Sequence, residues 1–331
     1  MRPRLLIVGA GPAGVSGALW GRERFDVTVI ERAARPGGQL RAIHVAPRGL
    51  LGGRVRNGSE LAEICARQLA RPGIELRCGA GAAALERPRT VRGKGGGGAP
   101  LRVRLEDGRR IAADAILIAT GLRRRRLGIP GEAELAGRGL SVSATRDRAR
   151  LAGRRVLVVG GGDGAFENAL HLAAAGSQVV MAVRGRPRAR RDFRQRVAGS
   201  PRIRVLTDTR VTAFLGRDRL RGACLEGPHG RIERPFEGAV VKIGWDPDSE
   251  WCADAVRTDR AGFVRVDARG RTSADRVWAA GDVVKSPLYA IDVAAAGAAL
   301  AVHDAWHRIE RAPGGAPRKP VSYRRRAAPA G

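Results

Sequence analysis

The chain has 331 residues, enough for two domains with full cores, and 61 Lys+Arg against 32 Asp+Glu give it a formal net charge of +29. Such a field attracts acidic proteins, nucleic acids or anionic cofactors, but the few aromatics are not interleaved with the basic runs, which disfavours specific nucleic-acid recognition. No stretch approaches 18 consecutive apolar residues, so no spanning helix is expected, and four scattered cysteines (Cys65, Cys78, Cys224, Cys252) without a CxxC signal neither a disulfide framework nor a zinc site.

Two arginines precede the apolar run Leu5–Val8, superficially like a leader. The run is too short for that and enters a glycine motif directly, so it reads as a buried strand in a reducing, cytoplasmic setting. Gly9-Ala10-Gly11-Pro12-Ala13-Gly14 follows, then a helix-like segment to about Trp20, then the β-like run Asp26–Ile30 ending in Glu31. Each part has a task in binding a dinucleotide. Gly9 allows the tight turn, Gly11 lets backbone approach a pyrophosphate, and Gly14 lets the helix pack on the strand. The helix N-terminus offers N–H groups to the phosphates, and Glu31 stands where an acid accepts ribose hydroxyls.

Next comes Arg35-Pro36-Gly37-Gly38-Gln39-Leu40, a turn that permits close approach of a ligand. Residues 59–70 have helical spacing, with Ser59 as the expected N-cap, and Ile74–Leu76 reads as a strand. Arg92 to Pro100 is a glycine-rich loop at the tip of an expected hairpin. Ala115–Ala119 is another buried strand, ending in Thr120-Gly121.

The opening unit then recurs. Arg155–Val159 is a strand, Gly160-Gly161-Gly162-Asp163-Gly164-Ala165 its turn, and a helix from about Phe166 carries Glu167 near its start. In the repeat, Val183 stands where the first unit has Glu31, and Arg184 follows, with Arg186, Arg188, Arg190 and Arg191 beyond. An apolar residue cannot accept ribose hydroxyls, whereas arginines clamp a 2′-phosphate. The first unit therefore suits the adenosine of FAD and the second suits NADPH. A last strand, Arg276–Ala280, leads to Gly281-Asp282 and a helix from Tyr289 to about Ile309.

In this order the motifs resemble the low-molecular-weight thioredoxin reductase family over nearly the whole chain. The resemblance rests on Gly9–Gly14 with Glu31, Gly37–Leu40, Ala119–Gly121, Gly160–Glu167, Arg184 and Ala279–Asp282. It implies an α/β chain with two Rossmann-like, three-layer (β/β/α) dinucleotide-binding domains, the NADPH domain inserted in the FAD domain. The expected boundaries are 1–121 and 246–311 for FAD, 122–245 for NAD(P)H, and 312–331 for a flexible basic tail. It also implies hydride transfer from NADPH to FAD, Gly281 and Asp282 by the flavin ribityl chain and diphosphate, Gln39 near the flavin ring, and a homodimer. No metal is expected.

Two departures stand out. Where the family has Cys-Ala-Thr-Cys-Asp, this chain has Ser143-Ala144-Thr145-Arg146-Asp147, so both redox cysteines are replaced. Tyr289-Ala290 also stands where the family usually has Arg-Gln. The sister group of ferredoxin–NADP reductases on this scaffold lacks the dithiol and passes electrons to an acidic iron–sulfur protein. On that resemblance the acceptor is not a disulfide of the chain, and an acidic protein such as ferredoxin suits the charge. Asp147 is then the one expected proton-handling residue. The alternatives are a reductase or oxidase of quinones or small metabolites, and a non-catalytic nucleotide sensor.

Overall fold

A computed structural model describes residues 2–47, 50, 54–86 and 99–310. Expectations for the loop tip at 92–98 and the tail at 312–331 lie outside these residues. The chain forms two compact units, residues 1–122 with 247–331 and residues 123–246.

The first unit opens with β1 (Arg4–Val8), α1 (Pro12–Gly21), β2 (Asp26–Glu31), α2 (Gly58–Leu69) and β3 (Ile74–Cys78). Asn57, not Ser59, caps α2: its side chain accepts the Glu60 N–H at 3.0 Å. Ser59 lies one residue inside the helix, because Gly58 is already helical. An antiparallel meander follows, β4 (Ala82–Glu86), β5 (Leu101–Leu105) and β6 (Arg110–Ala113), and then β7 (Ala115–Ile118) returns to the parallel sheet beside β1. Successive residues of β1 are buried on opposite faces. Leu5 and Ile7 pack under the helices, while Leu6 and Val8 pack under the meander. An apolar run without alternation is what a strand covered on both sides requires.

β8 (Leu122–Arg124) leads into the second unit. There β9 (Leu140–Ser141), the single turn α3 (Arg148–Leu151), β10 (Arg155–Val159), α4 (Asp163–Ala174), β11 (Gln178–Ala182), α5 (Arg191–Ala198) and β12 (Ile203–Leu206) follow in order. A second meander, β13 (Arg210–Gly216), β14 (Leu220–Gly227) and β15 (Gly230–Pro235), precedes β16 (Gly238–Val241). The parallel sheet has the order β12-β11-β10-β16-β9. Val156 and Val158 face α4 and α5; Leu157 and Val159 face the meander. The helix-on-sheet-on-meander layering of the first unit is thus repeated.

β17 (Trp245–Pro247), paired with β8, takes the chain back, and β18 (Val277–Ala279) joins β7 to complete a sheet of order β18-β7-β1-β2-β3. The last helix, α6 (Ile291–Glu310), lays Ala294, Ala298 and Ala301 against the core, and Ser16 of α1 donates to the Ala295 carbonyl at 2.7 Å. One polar group is buried in that layer. The Asp304 carboxylate accepts Arg271 Nε and Nη2, both at 2.6 Å, and the Trp278 indole N–H at 3.0 Å. It ties α6 to β18 and to the loop before it.

Burial alone would raise the Asp304 pKa, but the bonds from Arg271 and Trp278 outweigh it and hold it at about 2. A depressed folded-state pKa gives stability that is present above the unfolded value near 4 and lost as pH falls toward 2, here about 2 kcal/mol. Urea unfolding should therefore show Asp304→Asn to be less stable than the parent at pH 6, with the gap narrowing by pH 2.5. A gap independent of pH would contradict the assignment.

Candidate functional site

In the first unit the turn after β1 is set by backbone contact. Gly9 has φ +106°, and a Cβ on Gly14 would overlap the Gly9 carbonyl, so α1 can start this close to the strand only without that atom. Gly11 is the N-cap of α1 and gives it no side-chain hydrogen bond; Pro12 begins the helix without an N–H to leave unpaired. A Cβ on Gly11 would meet nothing within 4 Å. The helix N-terminus therefore opens onto free space with its donors unspent.

The other expected residues of this unit gather around the turn. Gly37 N donates to the Ala10 carbonyl at 2.8 Å, and a Cβ on Gly38 would lie 3.1 Å from the Gly11 Cα. Gln39 Nε2 donates to Asp282 Oδ2 at 3.2 Å, and a Cβ on Gly121 would lie 3.5 Å from the same nitrogen. Burial pushes the Asp282 carboxyl up, against the Gln39 bond. Gly281 packs on Ala13. Thr120 donates its hydroxyl to the Asp248 carbonyl at 2.5 Å. Leu40 is a core residue under α1 and α2, 1 % exposed, so its side chain is spent on packing. Ala290 is the residue before α6, and its carbonyl accepts the Ala294 N–H.

Glu31 is more occupied than its position in the sequence suggests. Its two oxygens accept the Ala10 N–H at 2.8 Å and the Ala33 N–H at 2.9 Å, so it pins the glycine turn and keeps one lone pair per oxygen for a ribose. Beside it is a cavity of about 50 Å³ lined by Gly9, Glu31, Gly81, Thr120, Asp248 and Trp251. The Trp251 indole N–H is buried without an acceptor among the described residues. An uncapped helix, a cavity at the strand ends that exposes Glu31 and Thr120, and an orphan donor fit the adenosine diphosphate half of FAD. Sequence reasoning missed Trp251, and one tryptophan two residues after a buried Ser249 gave no periodic signal.

In the second unit, Gly160 has φ +136° and a Cβ there would overlap the Lys242 carbonyl. Gly162 caps α4 without a side-chain bond, a Cβ at Gly162 or Gly164 would meet open space, and Ala165 packs in the core. Glu167 is exposed on α4 and lies 3.9 Å from His171. Asp163 is taken by Arg190 at 2.9 Å, which removes one arginine from the group expected to face a 2′-phosphate. Arg184 stands exposed just past the end of β11, as do Arg186 and Arg188. The open turn and these cations fit a phosphorylated dinucleotide.

The segment in the dithiol positions is a hydrogen-bonded turn. Ser143 Oγ accepts the Arg146 N–H at 3.3 Å, and Ala144 N donates to Asn168 Oδ1 at 2.7 Å. Asp147 accepts the Ser141 hydroxyl and Arg146 Nη2, the latter at 2.7 Å. Burial opposes its ionisation, yet the bonds from Arg146 and Ser141 prevail and hold the carboxyl below its ordinary value. The residue expected to handle protons is thus a paired carboxylate whose bonds anchor the turn. All four cysteines are free. Burial raises the thiols of Cys65, Cys78 and Cys252, the last to about 12, so none of these three is poised as a thiolate. No group of three or more metal-ligating side chains occurs among the described residues, and none of their helices is long and apolar enough to cross a membrane.

Two such units, each with a glycine turn at an uncapped helix, match a known pattern. The pyridine nucleotide-disulphide oxidoreductase family aligns with residues 3–305. The chain belongs to that family. Members depend on FAD and NAD(P)H. An alkyl hydroperoxide reductase component of Pseudomonas putida is 30% identical over 310 residues, covering 91% of this chain and 57% of its own length. A bifunctional thioredoxin reductase/thioredoxin of Mycobacterium leprae is 33% identical, covering 90% of this chain and 64% of its own. The chain thus spans about three fifths of these two relatives. The crystal structure of Lactococcus lactis thioredoxin reductase superposes with a TM-score of 0.75 at 28% identity, covering 93% of this chain and 99% of that one.

The close approach at Gly14 gives a direct check. Gly14→Ala should destabilise the flavin-free protein by about 1–3 kcal/mol, because the new methyl must displace α1 from the Gly9 carbonyl. Gly11→Ala, whose methyl enters open space, should melt within a degree or two of the parent. Equal losses in the two variants would contradict the contact.

Proposed function

We propose that the chain is an FAD-dependent NADPH oxidoreductase whose electrons pass to an acceptor other than a disulfide of its own. The observation that carries this is the Ser143–Asp147 turn, which is closed by a serine hydroxyl and an ion pair and contains no thiol. In this reading the first unit holds FAD through Gly9–Gly14, Glu31, Gly38, Gln39, Thr120, Gly121, Gly281 and Asp282. The second holds NADPH through Gly160–Ala165, Glu167 and Arg184. When bound, the two cofactors supply the hydride and electron chemistry. The chain's own tasks are to bind them, orient them and choose the acceptor. An acidic protein of the ferredoxin kind is favoured as acceptor by the +29 charge, since opposite fields raise the rate of encounter. The family resemblance supports assembly as a homodimer.

Anaerobic stopped-flow with NADPH should show reduction of the bound flavin. Arg184→Ala should weaken NADPH by roughly tenfold and leave NADH nearly unchanged, since a charge-assisted phosphate contact is worth about 1.5–3 kcal/mol. Equal losses for the two nucleotides would remove Arg184 from the site.

Replacing all four cysteines with serine should leave NADPH-to-dye turnover intact, and neither form should reduce thioredoxin. Turnover with a ferredoxin should fall as salt rises from about 0.01 M to about 0.1 M, where the screening length drops from about 30 to about 10 Å. Turnover with a neutral quinone should barely respond. Brisk quinone turnover with no ferredoxin turnover at any salt would replace the acidic-protein acceptor with a small molecule.

A further inference from the structure

Three stretches of the second unit end side by side at the carboxyl edge of its sheet. Lys242 N donates to the Val159 carbonyl at 2.8 Å, and the Gly160 turn presses on the Lys242 carbonyl. On the other side β9 runs parallel to β16 with Ser141 opposite Val240. Two residues further on, Ser143 reaches the level of Lys242, and Asn168 fastens the following Ala144 to α4. The turn at Gly160, Lys242 and the Ser143–Asp147 segment are therefore abreast.

Three cations share this edge, and their charges are poorly matched. Lys242 is half-buried and has no carboxylate at ion-pair distance among the described residues. Arg124 is also half-buried; its guanidinium lies 4.1 Å from the centre of the Trp245 ring, and it too has no carboxylate partner among them. Arg146 has Asp147, but that carboxylate also takes the Ser141 hydroxyl. The cations lie close enough to disfavour one another. Burial and then the Arg124 charge lower Lys242 to about 8, against a weaker pull from the exposed Glu167, and burial and then the Arg146 charge lower Arg124. Half-buried positive groups without counter-charge are unfavourable unless an anion completes the site.

We propose that Lys242, Arg124 and Arg146 form an oxyanion subsite beside the Gly160 turn, which takes a phosphate or carboxylate group of a small-molecule ligand. The Arg124 fork suits the paired oxygens of such a group, the Nη edge that Arg146 does not give to Asp147 adds further donors, and the ammonium acts as a point charge. A nucleotide pyrophosphate and a separate anionic substrate both carry this chemistry. The site does not depend on which acceptor the protein serves.

The scarcity of lysine makes the test local. Only Lys94, Lys242, Lys285 and Lys319 occur, so acylation of the full-length flavin-loaded protein with an N-hydroxysuccinimide ester, read by peptide mass spectrometry, reports Lys242 separately. At constant ionic strength, inorganic pyrophosphate should slow modification of Lys242 by about fivefold or more and leave Lys285 unchanged. Arg146→Ser, in an exposed turn, should raise the half-protecting concentration roughly tenfold, as expected for one lost charge-assisted contact. Protection by citrate with NADP+ already saturating assigns the subsite to a separate substrate. Protection by NADP+ with no further effect of citrate assigns it to the nucleotide. The proposal is overturned if pyrophosphate, citrate and NADP+ all leave the Lys242 rate unchanged, or if protection is equal in Arg146→Ser.

Discussion

Everything at the two nucleotide turns depends on one steric constraint, that the first glycine of the turn lies against the carbonyl just past the end of the neighbouring strand. At Gly9 the missing Cβ lets the turn meet the Ala119 carbonyl beyond β7, and at Gly160 it lets the turn meet the Lys242 carbonyl beyond β16; in the first unit the missing Cβ of Gly14 also lets α1 meet the Gly9 carbonyl. Once the backbones are this close, the helix N-termini must point along the strands and out of the sheet edge. Neither N-cap has a side chain to spend on the first turn, since both are glycines. The donors are thus left unspent by packing alone, before any side chain takes part, as the proposed phosphate binding requires.

The sequence was most legible where backbone geometry dictates residue type. Gly9, Gly11 and Gly14, the apolar runs of β1 and β10, and the acid ending β2 are local requirements, and they show in a single strand–turn–helix window. What stayed hidden depends on partners distant in the chain. Nothing near Asp163 announces Arg190, and nothing near Asp304 announces Arg271 and Trp278. The role of Glu31 was half visible. Its position is the one expected of a ribose acceptor, while its bonds to Ala10 and Ala33 arise only once the turn is folded. The cap of α2 was misplaced by two residues because Ser59 and Asn57 are both good caps, and the glycine between them tips the choice. Asp147 shows the same limit, since its pairing with Ser141 and Arg146 decides its charge state.

Charge shows the same separation of local from distant causes. Many of the arginines are spent on surface ion pairs such as Arg4–Asp114 and Arg110–Glu86, which contribute little to stability. Lys242 was legible in principle. It interrupts the apolar run of β16 and Ile243, in a chain that otherwise writes its positive charge as arginine. Its meaning came only from the neighbours that β8 and β9 bring to the same edge.

The place of β18 in the chain has a consequence for how the molecule is made. The inserted unit has its last sheet strand, β16, by residue 241, whereas the outer sheet lacks a strand until residues 277–279 emerge. Among the described residues only β18 pairs with the outer edge of β7, so that edge stays open while the whole inserted unit is synthesised. An unpaired, apolar strand edge is a template for pairing with other chains. The nascent polypeptide thus carries an open strand edge during the interval in which the inserted unit can already close upon itself, and the ribosome finishes the unit it began first only after the unit it began second.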